Sequence, residues 1–164
     1  MKLIVLLERV RVVRNHFVLY RNLCGMDKTE KKQQFSREKV TVTNTILVVE
    51  DDSDIGAWLV EAITQMTSYH ALLSMDGEEA LHVIRERTPA LVLLDYHLPG
   101  MDGLEVADRV HGTGGLEALP MIIASADVPR AEVVARHLPS LSKPFDLVKL
   151  LHMIEQLMTE EAPF

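Results

Sequence analysis

The chain is nearly devoid of cysteine. Cys24 is its one thiol among 164 residues, so no disulfide forms within the chain, and this usage suits a reducing, cytoplasmic setting. Cys24 belongs to no CxxC or Cys/His pattern and reads as a lone structural or surface thiol. Long apolar runs are missing as well. The opening Met1-Lys2-Leu3-Ile4-Val5-Leu6-Leu7 stops at Glu8, and Arg9, Arg11 and Arg14 follow. A secretory core needs about 7–15 apolar residues and a membrane span about 20, so no membrane contact of residues 1–25 is expected. Internal repeats and low-complexity tracts are absent, and the seven histidines show no metal-ligand spacing. Basic charge is scarce where most of the chain lies. Residues 45–164 carry seven Lys/Arg against twenty Asp/Glu, a net of -13, whereas residues 1–44 carry ten against four, a net of +6. Binding to a phosphate backbone relies on a basic surface, so no nucleic acid is expected to bind through the acidic part.

What is present is an ordinary globular composition, 48% hydrophobic and 25% charged. Residues 1–44 read as a basic N-terminal extension and linker, expected to be poorly ordered, with Met26 as the expected natural translation start. Residues 45–161 read as one folded domain and residues 162–164 as a tail.

Within the domain, short apolar runs alternate with helical periodicity. Ile46-Leu47-Val48-Val49, Leu91-Val92-Leu93-Leu94 and Met121-Ile122-Ile123-Ala124 have the continuous apolar character of buried parallel strands. Tyr69 to Ser74 is a further short strand, and Leu138 to Ser142 is the weakest, with Pro139 implying an edge position. Between them, Ile55, Trp58, Leu59, Ala62, Ile63 and Met66 recur on one helical face, which predicts a core position for Trp58. Ser53 or Asp54 is the expected cap of that helix. Asp76-Gly77-Glu78-Glu79 resembles a capping box ahead of Ala80, Leu81 and Ile84. Leu104, Ala107 and Val110 begin another helix. Pro129 opens a short one through about His137. Asp146 caps the last, whose apolar face is Leu147, Leu150, Leu151, Ile154, Leu157 and Met158. Five βα units with right-handed crossovers give an α/β, doubly wound, three-layer sandwich around a five-stranded parallel sheet.

In such a sheet, ligands bind beyond the carboxyl ends of the strands. Five polar residues stand there: Glu50 and Asp51 after the first strand, Asp95 after the third, Ser125 after the fourth, and Lys143 before Pro144. Two carboxylates 4 Å apart repel by about 4 kcal/mol at an effective dielectric near 20. A divalent cation relieves that repulsion, and Mg²⁺ prefers oxygen ligands. Asp95 is then placed to act as a nucleophile toward phosphorus. Lys143 would neutralise charge on the transferring group, and the Ser125 hydroxyl would donate to a phosphate oxygen. Taken one at a time, these residues read as helix caps, a turn residue and a solvated charge. Their joint placement at successive strand ends is what favours chemistry.

These residues carry a family resemblance. Ile46-Leu47-Val48-Val49-Glu50-Asp51-Asp52, Leu93-Leu94-Asp95-Tyr96-His97-Leu98-Pro99-Gly100-Met101-Asp102-Gly103, Ser125-Ala126 and Lys143-Pro144-Phe145 resemble the receiver domain of two-component response regulators, over residues 45–161. The resemblance implies the flavodoxin-like strand order 2-1-3-4-5 and a cis Lys143–Pro144 bond. It implies that Asp95 accepts a phosphoryl group from a sensor histidine kinase or phosphotransfer protein. Glu50, Asp51, Asp95 and the backbone carbonyl of His97 would bind Mg²⁺, and Ser125 and Lys143 would contact the phosphoryl group. The His97 imidazole is expected to be merely exposed. The chain would then be a single-domain response regulator in a phosphorelay, not an enzyme beyond self-catalysed transfer to Asp95, and would signal through contacts with a downstream protein. It ends at Phe164, directly after the last expected helix. The pattern departs from the family at Ser140, where an aromatic is usual three residues before the lysine, and in the shortened stretch between Ser125 and Lys143.

Two other functions fit parts of the sequence. A degenerate receiver would bind partners without phosphorylation. A haloacid-dehalogenase-type phosphatase is suggested by Asp52-Ser53-Asp54-Ile55, but position 56 is Gly rather than Thr or Val, and no later acidic pair follows the lysine.

Overall fold

The structure, a computed structural model, describes residues 44–127 and 129–159. The expectations for the basic extension, Cys24, the Met26 start and the 162–164 tail fall outside the described residues. Among the described residues, five strands and five helices alternate: β1 (Thr45–Val49), α1 (Ser53–Met66), β2 (His70–Ser74), α2 (Gly77–Glu86), β3 (Leu91–Asp95), α3 (Gly103–His111), β4 (Met121–Ser125), α4 (Arg130–Ala135), β5 (Ser140–Ser142) and α5 (Leu147–Thr159). The sheet is fully parallel, in the order β2-β1-β3-β4-β5. This is the doubly wound sandwich and strand order expected from the sequence.

Successive side chains of a strand point to opposite faces, and the apolar runs therefore feed two cores. Leu47, Val49, Val92, Leu94, Met121 and Ile123 pack against Ala80, Leu81 and Ile84 of α2, against Leu104, Ala107 and Val110 of α3, and against Val133 of α4. Ile46, Val48, Leu91, Leu93, Ile122 and Leu141 pack against Leu59 and Ile63 of α1 and Leu150 and Ile154 of α5. β1, β3 and β4 are buried at every position. β5 is a three-residue edge strand with only Leu141 buried, as Pro139 implied.

Helix starts follow local chemistry. Asp52, not Ser53 or Asp54, caps α1: its carboxylate accepts from the Asp54 and Ile55 amides at 2.9 and 3.0 Å. Asp52 lies one residue earlier, where the extended backbone of a cap leaves its oxygen facing the first free amides. Asp76 caps α2 by accepting from the Glu79 amide, and Glu79 reaches back to the Met75 amide rather than closing a strict capping box. Asp102 caps α3, and Asp146 accepts from Val148 at the start of α5. α4 is shorter than expected and ends at Ala135; His137 then takes a left-handed φ of +53°.

Trp58 is corrected. It is 40% exposed, and Ile55 and Met66 are exposed with it. The buried stripe of α1 runs through Gly56, Leu59, Ala62 and Ile63. Gly56 lets the helix lie close on β2, since a Cβ there would sit 2.5 Å from Leu73. That close seat sets the face of α1 against the sheet and leaves Trp58 to one side. No helix among the described residues is long and apolar enough to cross a membrane.

Candidate functional site: an acidic pocket at the sheet's carboxyl edge

The strand order makes β3 central, with β1 on one side and β4, then β5, on the other. The crossover direction reverses between β1 and β3, the switch point where an open α/β sheet forms its crevice. Asp95, the last residue of β3, stands there. Glu50 and Asp51 arrive from β1, Ser125 ends β4, and Lys143 follows β5. The Lys143 amide donates to the Ser125 carbonyl at 2.8 Å, which ties the lysine's backbone to β4. All five polar positions expected from the sequence therefore lie at one edge.

Within the pocket, Lys143 Nζ donates to Asp95 Oδ2 at 2.6 Å and to Glu50 Oε2 at 2.8 Å. The His97 amide donates to Asp95 Oδ1 at 3.2 Å. Both Asp95 oxygens are thus held, with the carboxylate buried at 8% side-chain exposure and Glu50 at 5%. Asp51 is exposed. One carboxylate oxygen from each of Glu50, Asp51 and Asp95 lies within 4.8 Å of the others. Burial pushes the Glu50 carboxyl above its ordinary value; the Lys143 hydrogen bond opposes this and the Asp95 charge reinforces it. Burial also works against the Lys143 ammonium, but the hydrogen bonds to Asp95 and Glu50 outweigh it and raise its pKa. The Lys143–Pro144 bond is cis.

Three carboxylates facing a single ammonium leave the pocket with surplus negative charge at short range. Hard oxygen donors at this spacing fit a divalent cation such as Mg²⁺, which is commonly held by one or two carboxylates and completed by waters and phosphate oxygens.

Two features were not legible in sequence. His97 is exposed, as expected, but not idle: its Nε2 lies 2.6 Å from Asp127 Oδ1. Its ring also meets Tyr96 edge-on, with centroids 4.8 Å apart. The hydrogen bond to Asp127 raises the His97 pKa, and the same bond lowers that of Asp127. Thirty residues separate the two, so no local spacing signals the pair. Second, Arg136 grips Asp108 with two hydrogen bonds of 2.8 and 2.9 Å, joining α4 to α3.

Comparison with known proteins gives the family. The response regulator receiver domain family matches residues 46–155. This chain belongs to that family. Among relatives of the receiver, Response regulator MprA of Mycobacterium sp. (strain KMS) is 34% identical over 125 residues, covering 72% of this chain and 52% of MprA. Transcriptional regulatory protein TctD of Salmonella typhimurium (strain SL1344) is 32% identical over 124 residues, covering 71% of this chain and 53% of TctD. The chain spans about half the length of these curated relatives. Among solved structures, the non-phosphorylated HemR receiver domain from Leptospira biflexa superposes with a TM-score of 0.67 at 26% identity, covering 74% of this chain and 98% of that one. The receiver fold and its place in two-component signalling follow from these matches.

Proposed function

We propose that this receiver accepts a phosphoryl group on Asp95 from a sensor histidine kinase or phosphotransfer protein, acts in the cytoplasm over a domain spanning residues 45–161, and signals by contact with a downstream protein rather than with nucleic acid. One observation carries the reading: the buried Asp95 carboxylate shares its pocket with two further carboxylates and is held by Lys143 at 2.6 Å.

An Asp95 oxygen attacks phosphorus. The P–N bond to the donor imidazole breaks, its electron pair leaves with the imidazole, which takes a proton, and Asp95 becomes an acyl phosphate. Catalysis of such a transfer is mostly positioning and charge stabilisation. The His97 amide and Lys143 fix the orientation of the Asp95 carboxylate. As phosphoryl oxygens arrive, Lys143 is positioned to transfer a hydrogen bond to them, and Ser125 supplies a hydroxyl donor. Glu50, Asp51, Asp95 and the His97 carbonyl would hold Mg²⁺. Bound there, the ion would offset the negative charge of the carboxylates and the phosphoryl oxygens.

The test is intact-protein mass after incubation with acetyl phosphate and MgCl₂, with Asp95→Asn beside the wild type. The expected result is a Mg²⁺-dependent gain of one phosphoryl group in the wild type and none in Asp95→Asn. A phosphorylated Asp95→Asn protein would place the acceptor elsewhere. Wild type that stays unmodified even with a competent kinase would favour a binding module that works without phosphorylation.

A further inference from the structure

The Ser125 hydroxyl is directed to residue 127, whereas the Asp95 carboxylate is held by Lys143 and the His97 amide. Ser125 Oγ is tied to residue 127 twice. The Asp127 amide donates to Ser125 Oγ at 3.1 Å, and Ser125 Oγ donates to Asp127 Oδ1 across a longer 3.4 Å. The same Asp127 oxygen is gripped by His97 Nε2 at 2.6 Å. The result is a side-chain bridge from the loop after β3 to the loop after β4, running over the pocket mouth. The Ser125 side chain is buried at its base, whereas His97 and Asp127 are exposed. The short contact fixes the Asp127 carboxylate, and that carboxylate engages the hydroxyl proton which a phosphoryl oxygen would need.

We propose that Asp127, braced by His97, is a positioning residue that holds the Ser125 hydroxyl away from Asp95, so that phosphorylation has to break this bridge before Ser125 can serve. The inference rests on Asp95 being the phosphoacceptor. Two residues outside the acid–hydroxyl–lysine set thereby tune the reaction, one on each flank of the central strands. Removing the carboxylate frees the hydroxyl. Removing the imidazole frees the carboxylate and weakens its hold. Because both substitutions open one bridge, their effects do not add.

The experiment uses the full chain, with acetyl phosphate and MgCl₂ as donor and the initial phosphorylation rate read by intact mass. A net intramolecular hydrogen bond is modest, so Asp127→Ala and His97→Ala are each expected to phosphorylate faster by roughly threefold, and the double variant no faster than either alone. Asp127→Asn keeps an acceptor oxygen and is expected to stay near the wild-type rate. Asp127 also carries a negative charge near an incoming anionic donor, and the Ser125→Ala background separates the two effects. If the bridge acts through Ser125, Asp127→Ala changes nothing in that background; a full acceleration there overturns the proposal, because charge alone then explains it. A second readout needs no phosphorylation. Hα–Hβ coupling constants of Ser125 in the unphosphorylated protein are expected to report one χ1 rotamer in the wild type and averaging in Asp127→Ala. Averaging already present in the wild type overturns the bridge. A wild type that takes up no phosphoryl group from acetyl phosphate or from a competent kinase, while Ser125 remains in one rotamer, overturns the acceptor role of Asp95 and leaves the bridge supported.

Discussion

Replacing Lys143 with methionine probes the charge balance of the pocket. Methionine approximates the length of the lysine stem and deletes the ammonium that holds Asp95 at 2.6 Å and Glu50 at 2.8 Å. Glu50 and Asp95, nearly buried, are left beside each other and beside Asp51 with no cation. Breaking a buried ion pair by removing one partner costs about 3–5 kcal/mol. Lys143 keeps 25% of its side chain exposed, so solvent screening reduces this to about 2 kcal/mol. With an m-value of about 1–3 kcal/mol per molar urea, the unfolding midpoint should fall by about 1 M at pH 7. The assay is urea denaturation followed by far-UV circular dichroism, with and without MgCl₂ at constant ionic strength. A ligand that binds only the folded state stabilises it by mass action. Without the ammonium in competition, the three carboxylates should bind Mg²⁺ more tightly, so the ion should recover more midpoint in Lys143→Met than in the wild type. An unchanged midpoint in the variant, or an equal Mg²⁺ response in both proteins, refutes the reasoning.

The remaining expectations concern the scaffold. A Cβ at Gly103 would collide with the Asp95 carbonyl oxygen, so Gly103→Ala should destabilise by about 1–3 kcal/mol through overpacking against backbone and slow phosphoryl uptake as well, checked by urea midpoint and intact mass. Ser74 ends β2 fully buried, and its Oγ has no hydrogen-bond partner among the described residues; because an unsatisfied buried hydroxyl costs stability, Ser74→Ala should leave the midpoint unchanged or raised, and a clear fall would contradict this. The hydrogen bonds from Arg136 hold the Asp108 carboxyl below its ordinary value. A lowered acid contributes stability that is present above its unfolded value near 3.8 and is lost as pH falls through the folded value. Asp108→Asn should therefore differ from the wild type in urea midpoint at pH 7 and converge with it in strong acid.

The parts of this fold that were legible in sequence are those where one physical signal dominates. β1, β3 and β4 are buried on both faces, so each announces itself as an unbroken apolar run ending at a charged or hydroxyl residue. That same ending marks the site, which is why Glu50, Asp51, Asp95 and Ser125 could be named together, while Lys143, after the weakest strand, is marked by the Pro144 that follows it. α1 was harder. Its periodicity could be counted, but which rim of the stripe faces solvent depends on how closely Gly56 approaches Leu73, a tertiary contact that placed Trp58 outside. Its cap was displaced by one residue because Asp52, Ser53 and Asp54 are all competent caps and only backbone geometry chooses. The His97–Asp127 and Asp108–Arg136 pairs span 30 and 28 residues and exist only once β3 and β4 are neighbours, so no local pattern could reveal them.

The lysine that completes the pocket lies 48 residues after Asp95 and 93 after Glu50. On a ribosome, the strand that carries Asp95 therefore emerges well before the residue that neutralises it. A nascent or partly unfolded chain presents a carboxylate without its ammonium and without the β4 edge to which Lys143 is tied. The ammonium thus joins its two carboxylates only once the last βα unit has folded, so the charge balance of the pocket is completed by the end of the domain that is made last.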